Sequence, residues 1–281
     1  MLKKREYRLP YHSGEKRATF YREAGTPLRA VALYFHGGAL LYGSREDLPQ
    51  YHLEQMCAAG CGVLAMDYPL APGADVEEIL EDVAESVAWY LENREELFSA
   101  PLPYFLWGRS AGAYLCLMAM ERGLPQPPAG VLSYYGYGLL REGWYDAPSP
   151  FYLRYTRVPE SCLAMLPKGP RMEGELERFY FVYVHLRQTG RWGEYLLGGR
   201  GGGTPSLKTV PVPTSPCPVL LAHSREDPDV PFGEFEALSA RYPEGGRLEV
   251  PLAVHDFDSD PSSRYTKQLL QMSVDFIRRY S

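Results

Sequence analysis

Gly108-Arg109-Ser110-Ala111-Gly112 places a serine midway between two glycines. The apolar run Pro103 to Trp107 comes before it and reads as a buried strand. The run Tyr114 to Met120 follows and reads as a buried helix. A serine at the apex of a strand–turn–helix unit is a nucleophile elbow, whose strained backbone lifts the hydroxyl clear of the sheet. Residues two before and two after the apex crowd each other, so both must be small, and Gly108 and Gly112 are. Such a serine does nucleophilic acyl chemistry, and it needs a base to take its proton and a third group to orient the base.

Acyl transfer also needs backbone N–H groups aimed at the negative oxygen of a tetrahedral intermediate, and losing one such donor costs about 3–4 kcal/mol. Ala30 to Phe35 is a short apolar run with strand character, and it ends in His36-Gly37-Gly38-Ala39. A glycine-bearing loop lets the backbone approach closely enough to donate. It precedes Ser110 by about seventy residues, the place for an oxyanion loop after an early strand.

The base must come after the serine in the order serine, acid, histidine. His185, His223 and His255 follow Ser110, while His12, His36 and His52 precede it. His185 falls in a helical pattern and reads as packing. His223 ends a strand ahead of the acids and reads as structural. His255 follows the last strand, in a loop where a catalytic base belongs. For the acid, Glu226, Asp227 and Asp229 compete in the loop Ser224 to Pro231, with Asp227 foremost. Asp256 and Asp258 flank the base and read as solvated groups or local caps. His36 reads as a residue that holds the oxyanion loop.

These side chains need a scaffold. Strand-like runs at 17–23, 31–35, 62–66, 103–107, 131–135, 218–222 and 247–251 alternate with helical patterns at 47–59, 76–98, 235–242 and 262–280. That alternation predicts an α/β fold, a mostly parallel central sheet with helices on both faces, and a site beyond the carboxyl ends of the strands. The acids of 75–82 suit the start of a helix and read as a solvated face. Residues 139–216 break the rhythm. They read as a cap inserted into a core of 1–138 and 217–281, with helical character at 177–188 and a return hinge in the glycines of 198–203 and the prolines that follow. The insertion supplies Trp144, Tyr145, Phe151, Tyr152, Tyr155, Phe179, Tyr180, Phe181, Tyr183 and Trp192. Aromatic walls over the serine would leave a short, dry acyl pocket.

The 281 residues suffice for one core plus an insertion, and a net charge of −6 argues against a nucleic-acid surface. Cys57, Cys61, Cys116, Cys162 and Cys217 show no framework spacing; as free thiols they point to a reducing, cytoplasmic setting. Cys57 and Cys61 lack a second pair and do not read as a metal site. The basic start Lys3-Lys4-Arg5 is followed by no apolar stretch, so it does not read as a secretory signal. No run is long and apolar enough for a membrane span.

With His-Gly-Gly-Ala at 36–39, Asp-Tyr-Pro-Leu-Ala-Pro at 67–72, Gly-Arg-Ser-Ala-Gly at 108–112, Asp-Pro-Asp-Val-Pro at 227–231 and His-Asp-Phe at 255–257, the chain resembles the α/β-hydrolase superfamily. It looks most like the esterase branch typified by hormone-sensitive lipase and related small bacterial esterases. The resemblance runs from about residue 30 to the end, apart from the insertion. It implies the α/β-hydrolase fold, Ser110 as nucleophile, Asp227 as acid, His255 as base, and backbone donors at Gly38, Ala39 and Ala111. It implies a small-molecule ester as substrate and calls for no cofactor or metal. The other readings are a peptidase or amidase of the same fold and a catalytically silent small-ligand-binding protein. Ala39 stands where the branch usually has a third glycine, and a positive φ there costs about 1 kcal/mol. Arg109 stands where the branch often has Asp, and reads as a salt-bridge partner within the fold before a contact for an acidic substrate group. The insertion also departs from the branch, in which much of the lid precedes the first strand.

Overall fold

Strands whose residues are apolar on both faces need a cover on each side, and the chain supplies it with helices. The computed structural model describes residues 1–12, 14–98, 100–138, 143–167, 169–196 and 217–281. Eight strands form one sheet: β1 (Leu2–Tyr11), β2 (Gly14–Glu23), β3 (Ala30–Phe35), β4 (Cys61–Met66), β5 (Tyr104–Arg109), β6 (Gly130–Tyr134), β7 (Val219–Ser224) and β8 (Gly245–Val250). Their spatial order is β1-β2-β4-β3-β5-β6-β7-β8. The pairings β1 with β2 and β2 with β4 are antiparallel, and all the others are parallel.

The helices are α1 (Gln50–Ala58), α2 (Val76–Phe98), α3 (Ala111–Arg122), α4 (Leu176–Thr189), α5 (Trp192–Leu196), α6 (Phe232–Arg241) and α7 (Arg264–Tyr280). Strand alternation sorts them between the faces. Val31, Leu33 and Phe35 of β3 pack with Ile79 and Val83 of α2 and with Leu115 of α3. Their neighbours Ala32 and Tyr34 pack with Met56 of α1 and with Leu269 and Phe276 of α7. The mostly parallel sheet with helices on both faces is therefore as the alternating pattern predicts. Helix α2 opens with a capping box: the Glu78 N–H donates to the Asp75 carboxylate and the Asp75 N–H to that of Glu78.

Two elements differ from the sequence reading. The basic N-terminal stretch is the ten-residue outermost strand β1, paired along its length with β2. Only Leu9 and Tyr11 of it are buried, so the charged remainder hides the strand period. Asp82, read as part of a solvated face, is buried instead and meets the buried Lys16 ammonium of β2 at 2.6 Å.

Between β6 and β7 the described residues form two short 3-10 turns (Tyr152–Arg154 and Glu160–Met165), then α4 and α5. Gly174 pairs with Gly43 of the core by two backbone hydrogen bonds, of 2.8 and 3.0 Å. The glycines of 198–203 and the prolines read as a return hinge lie outside the described residues.

Candidate active site

Strand β5 ends at Arg109 and α3 starts at Ala111, which leaves Ser110 alone at the turn with φ 52° and ψ −119°. The close packing around it explains the flanking glycines. A Cβ on Gly108 would lie 2.2 Å from the backbone of Gly112 and Ala113, and one on Gly112 would lie 2.0 Å from the Phe35 carbonyl oxygen.

His255, in the loop after β8, meets both neighbours a triad requires. Its Nε2 lies 2.8 Å from Ser110 Oγ, and its Nδ1 lies 2.7 Å from Asp227 Oδ2. The Asp227 carboxylate is buried, and its Oδ1 accepts the N–H groups of Asp229 (2.8 Å) and Val230 (3.0 Å). Burial works against the Asp227 charge, but the charge of His255 and these hydrogen bonds hold its pKa below the usual range. Burial likewise depresses the His255 imidazole, yet the Asp227 carboxylate outweighs it, and with Asp229 and Asp256 lifts the pKa to about 9. The buried His223 donates its Nε2 proton to the Val230 carbonyl at 3.0 Å and lies 3.3 Å from Asp227 Oδ2. Glu226 is exposed. Asp229 accepts from Arg187 and Tyr183 of α4. Of the three acids in that loop, Asp227 is the one the structure brings to His255.

Gly38 and Ala39 border the same space as Ser110, with φ of 96° and 56°. A positive φ at Ala39 costs about 1–2 kcal/mol. The Trp192 indole N–H donates to the Ala39 carbonyl at 3.1 Å. Among the described residues no acceptor is paired with the N–H of Gly38, Ala39 or Ala111. Ala111 opens α3, where the helix dipole adds positive potential. His36 is buried; it stacks on Tyr68 at 4.2 Å, and the Tyr68 hydroxyl donates to the His36 carbonyl at 2.9 Å. Burial pushes the His36 pKa down to about 4, so it holds the loop as a neutral ring. His185 binds the Val158 carbonyl through Nδ1, a packing role within the β6–β7 segment.

Asp258 departs from its sequence reading. It is neither solvated nor a local cap but fully buried, at the centre of a network beneath the site. Its Oδ1 accepts from Arg109 (2.9 Å) and from the Tyr135 hydroxyl (2.8 Å), and its Oδ2 lies 2.9 Å from His52 Nε2. Burial opposes its charge, but Arg109 and His52 hold the carboxyl well below the usual range. The Tyr135 ring meets the His255 ring edge-on at 4.8 Å. Arg109 is thus a salt-bridge partner within the fold. Neither Tyr135 nor Asp258 stood out in the sequence, because their partners come from α1, β5 and the turn after β6.

A cavity of about 500 Å³ opens over Ser110 and His255. Trp144, Phe151, Tyr152, Tyr180, Tyr183 and Trp192 of the β6–β7 segment line it. The Tyr137 hydroxyl, also on the lining, is buried without a hydrogen-bond partner among the described residues. Of the other aromatic residues of that segment, Phe179 packs under the Arg171 guanidinium, and Tyr155 and Phe181 are exposed.

Residues 32–157 match the family model described as alpha/beta hydrolase fold. The chain is similar to Lipase 2 of Moraxella sp. (strain TA144), 32% identical over 96 residues, which are 33% of this chain and 22% of the lipase. It is similar to human hormone-sensitive lipase, 27% identical over 143 residues, which are 50% of this chain and 13% of that protein. The chain therefore spans only a fraction of the curated relatives it matches. A solved structure of a protein of unknown function from Staphylococcus aureus subsp. aureus Mu50 superposes with a TM-score of 0.84 at 24% identity, covering 98% of both chains. The sheet, the order of the motifs and the family match together give this chain the α/β-hydrolase fold.

Proposed function

We propose that this protein hydrolyses carboxylic esters of short acyl chains through a Ser110-His255-Asp227 triad and an acyl-enzyme. The observation that carries the reading is the unbroken hydrogen-bond chain from Ser110 Oγ through His255 to the buried Asp227 carboxylate. His255 Nε2 takes the Ser110 proton as Oγ attacks the ester carbonyl. Asp227 fixes the tautomer and stabilises the imidazolium. The N–H groups of Gly38, Ala39 and Ala111 receive the oxyanion. His255 then protonates the leaving alcohol, and the same base activates the water that releases the acid.

In this reading residues 139–216 form a cap on a core of 1–138 and 217–281, and the aromatic wall of the cavity supports it. The wall bounds the acyl site, which favours acyl groups of roughly two to six carbons, declining gradually because each added methylene that does not fit costs about 1–3 kcal/mol. Five buried cysteines that form no disulfide among the described residues support a reducing, cytoplasmic setting. Among the described residues no helix is long and apolar enough to cross a membrane.

A fluorophosphonate probe should label the peptide that holds Ser110, and the specificity constant for p-nitrophenyl esters should peak between acetate and hexanoate. A folded protein without that adduct overturns the enzyme reading. A maximum at ten carbons or more overturns the short pocket, and faster cleavage of aminoacyl anilides than of esters replaces the esterase with an amidase.

A further inference from the structure

We infer that Arg187 of the cap is a positioning residue for Asp227 and acts across the cap–core boundary through Asp229. The inference rests on the triad reading above. Arg187 lies on α4 with its side chain 3% exposed. Its Nη1 donates to Asp229 Oδ1 at 2.7 Å and its Nη2 to the Asp229 carbonyl oxygen at 3.1 Å. Tyr183, one turn earlier on α4, donates its hydroxyl to the same Oδ1 at 2.6 Å and accepts from Arg187 at 2.8 Å. Residue 229 is therefore gripped at both its side chain and its carbonyl. Its N–H, with that of Val230, fixes Oδ1 of Asp227, and the other carboxylate oxygen faces His255. A continuous path of hydrogen bonds thus runs from a cap helix to the nucleophile.

The path is built for a planar cation. The guanidinium lies 5.1 to 5.7 Å from the ring centroids of Trp144, Tyr152, Tyr183 and Trp192. Arginine stacks on such rings and donates in a fixed fork, which a lysine ammonium does not. The same four rings line the cavity over Ser110, so the walls that meet a substrate also hold the residue that tethers the acid's loop.

The test is a kinetic cycle on the full chain with p-nitrophenyl butyrate and a small fluorophosphonate, whose labelling rate reads Ser110 directly. Arg187→Met should lower kcat and the labelling rate by about 10- to 100-fold, the penalty of a misplaced catalytic group. Arg187→Lys should fall between the two, because it restores the charge without the two-point grip. In an Asp227→Asn background the same Arg187→Met change should cost less than about threefold, since residues that act as one unit are non-additive. If Arg187→Met does not fold by circular dichroism, Asp229→Ala removes the side-chain acceptor that Arg187 and Tyr183 share and carries the same cycle. An equal loss with and without Asp227, or unchanged kcat in the folded variant, overturns the inference. A wild-type protein that neither labels nor turns over overturns the triad reading instead.

Discussion

His255 carries the most direct experimental handle at the scale of single residues. With its pKa lifted to about 9, it is mostly an imidazolium at neutral pH and cannot then accept the Ser110 proton. The ratio kcat/KM should therefore rise with pH and level off only above about 9. Asp227→Asn removes the charge that sustains the imidazolium, so the ascending limb should move down towards the ordinary histidine value near 6.5. The same change should lower kcat by roughly 10⁴-fold, as loss of the orienting acid does in serine proteases. A pH–rate profile from pH 5 to 10 on both proteins checks the two effects together. An unmoved limb would mean that Asp227 does not set the basicity of His255. Ser110 and the glycines around it are legible in the sequence because a crowded turn demands small neighbours whatever surrounds it, and His255 is legible from its place after the last strand, behind the serine and the acids. The choice among Glu226, Asp227 and Asp229 was less sharp, since which carboxylate reaches the imidazole depends on a loop fixed by Arg187 and His223 from outside it.

Elements were legible where burial is strong on a regular period. Strands β3, β4 and β7 are buried throughout, and α2 runs from Val76 to Phe98 as its apolar spacing predicts. Strand β1 was not, because pairing along one side alone leaves it free to carry charge. Asp258 was missed for a related reason: its meaning lies in the meeting of α1, the end of β5 and the turn after β6. Asp258→Asn would leave Arg109 and His52 facing a neutral amide in a buried site. Breaking a buried ion pair from one side costs about 3–5 kcal/mol, and urea unfolding should show a loss of that order. Stability within about 1 kcal/mol of wild type would contradict the view of this network as the clamp beneath the elbow.

Across the whole molecule, the carboxyl ends of the parallel strands and the segment between β6 and β7 enclose one space, to which the loops after the strands bring Ser110 and His255 and that segment brings the aromatic wall. The alternation of strand and helix foretold the first half of that arrangement. The excess of aromatic residues hinted at the second, without saying which rings face inward and which, like Phe181, face solvent. The wall has an optical consequence. The chain has four tryptophans. Trp107 is sealed within the core, and Trp89 packs on Tyr7 of β1. The other two, Trp144 and Trp192, line the cavity, and Trp192 is hydrogen-bonded to Ala39. A non-hydrolysable ester analogue should therefore quench or shift the emission in titration, and Trp192→Phe should remove a large part of that change while Trp89→Phe leaves it intact. Emission that stays constant at saturating inhibitor would mean that the ligand never reaches those indoles; otherwise the protein reports its own occupancy in ultraviolet light, with no label attached.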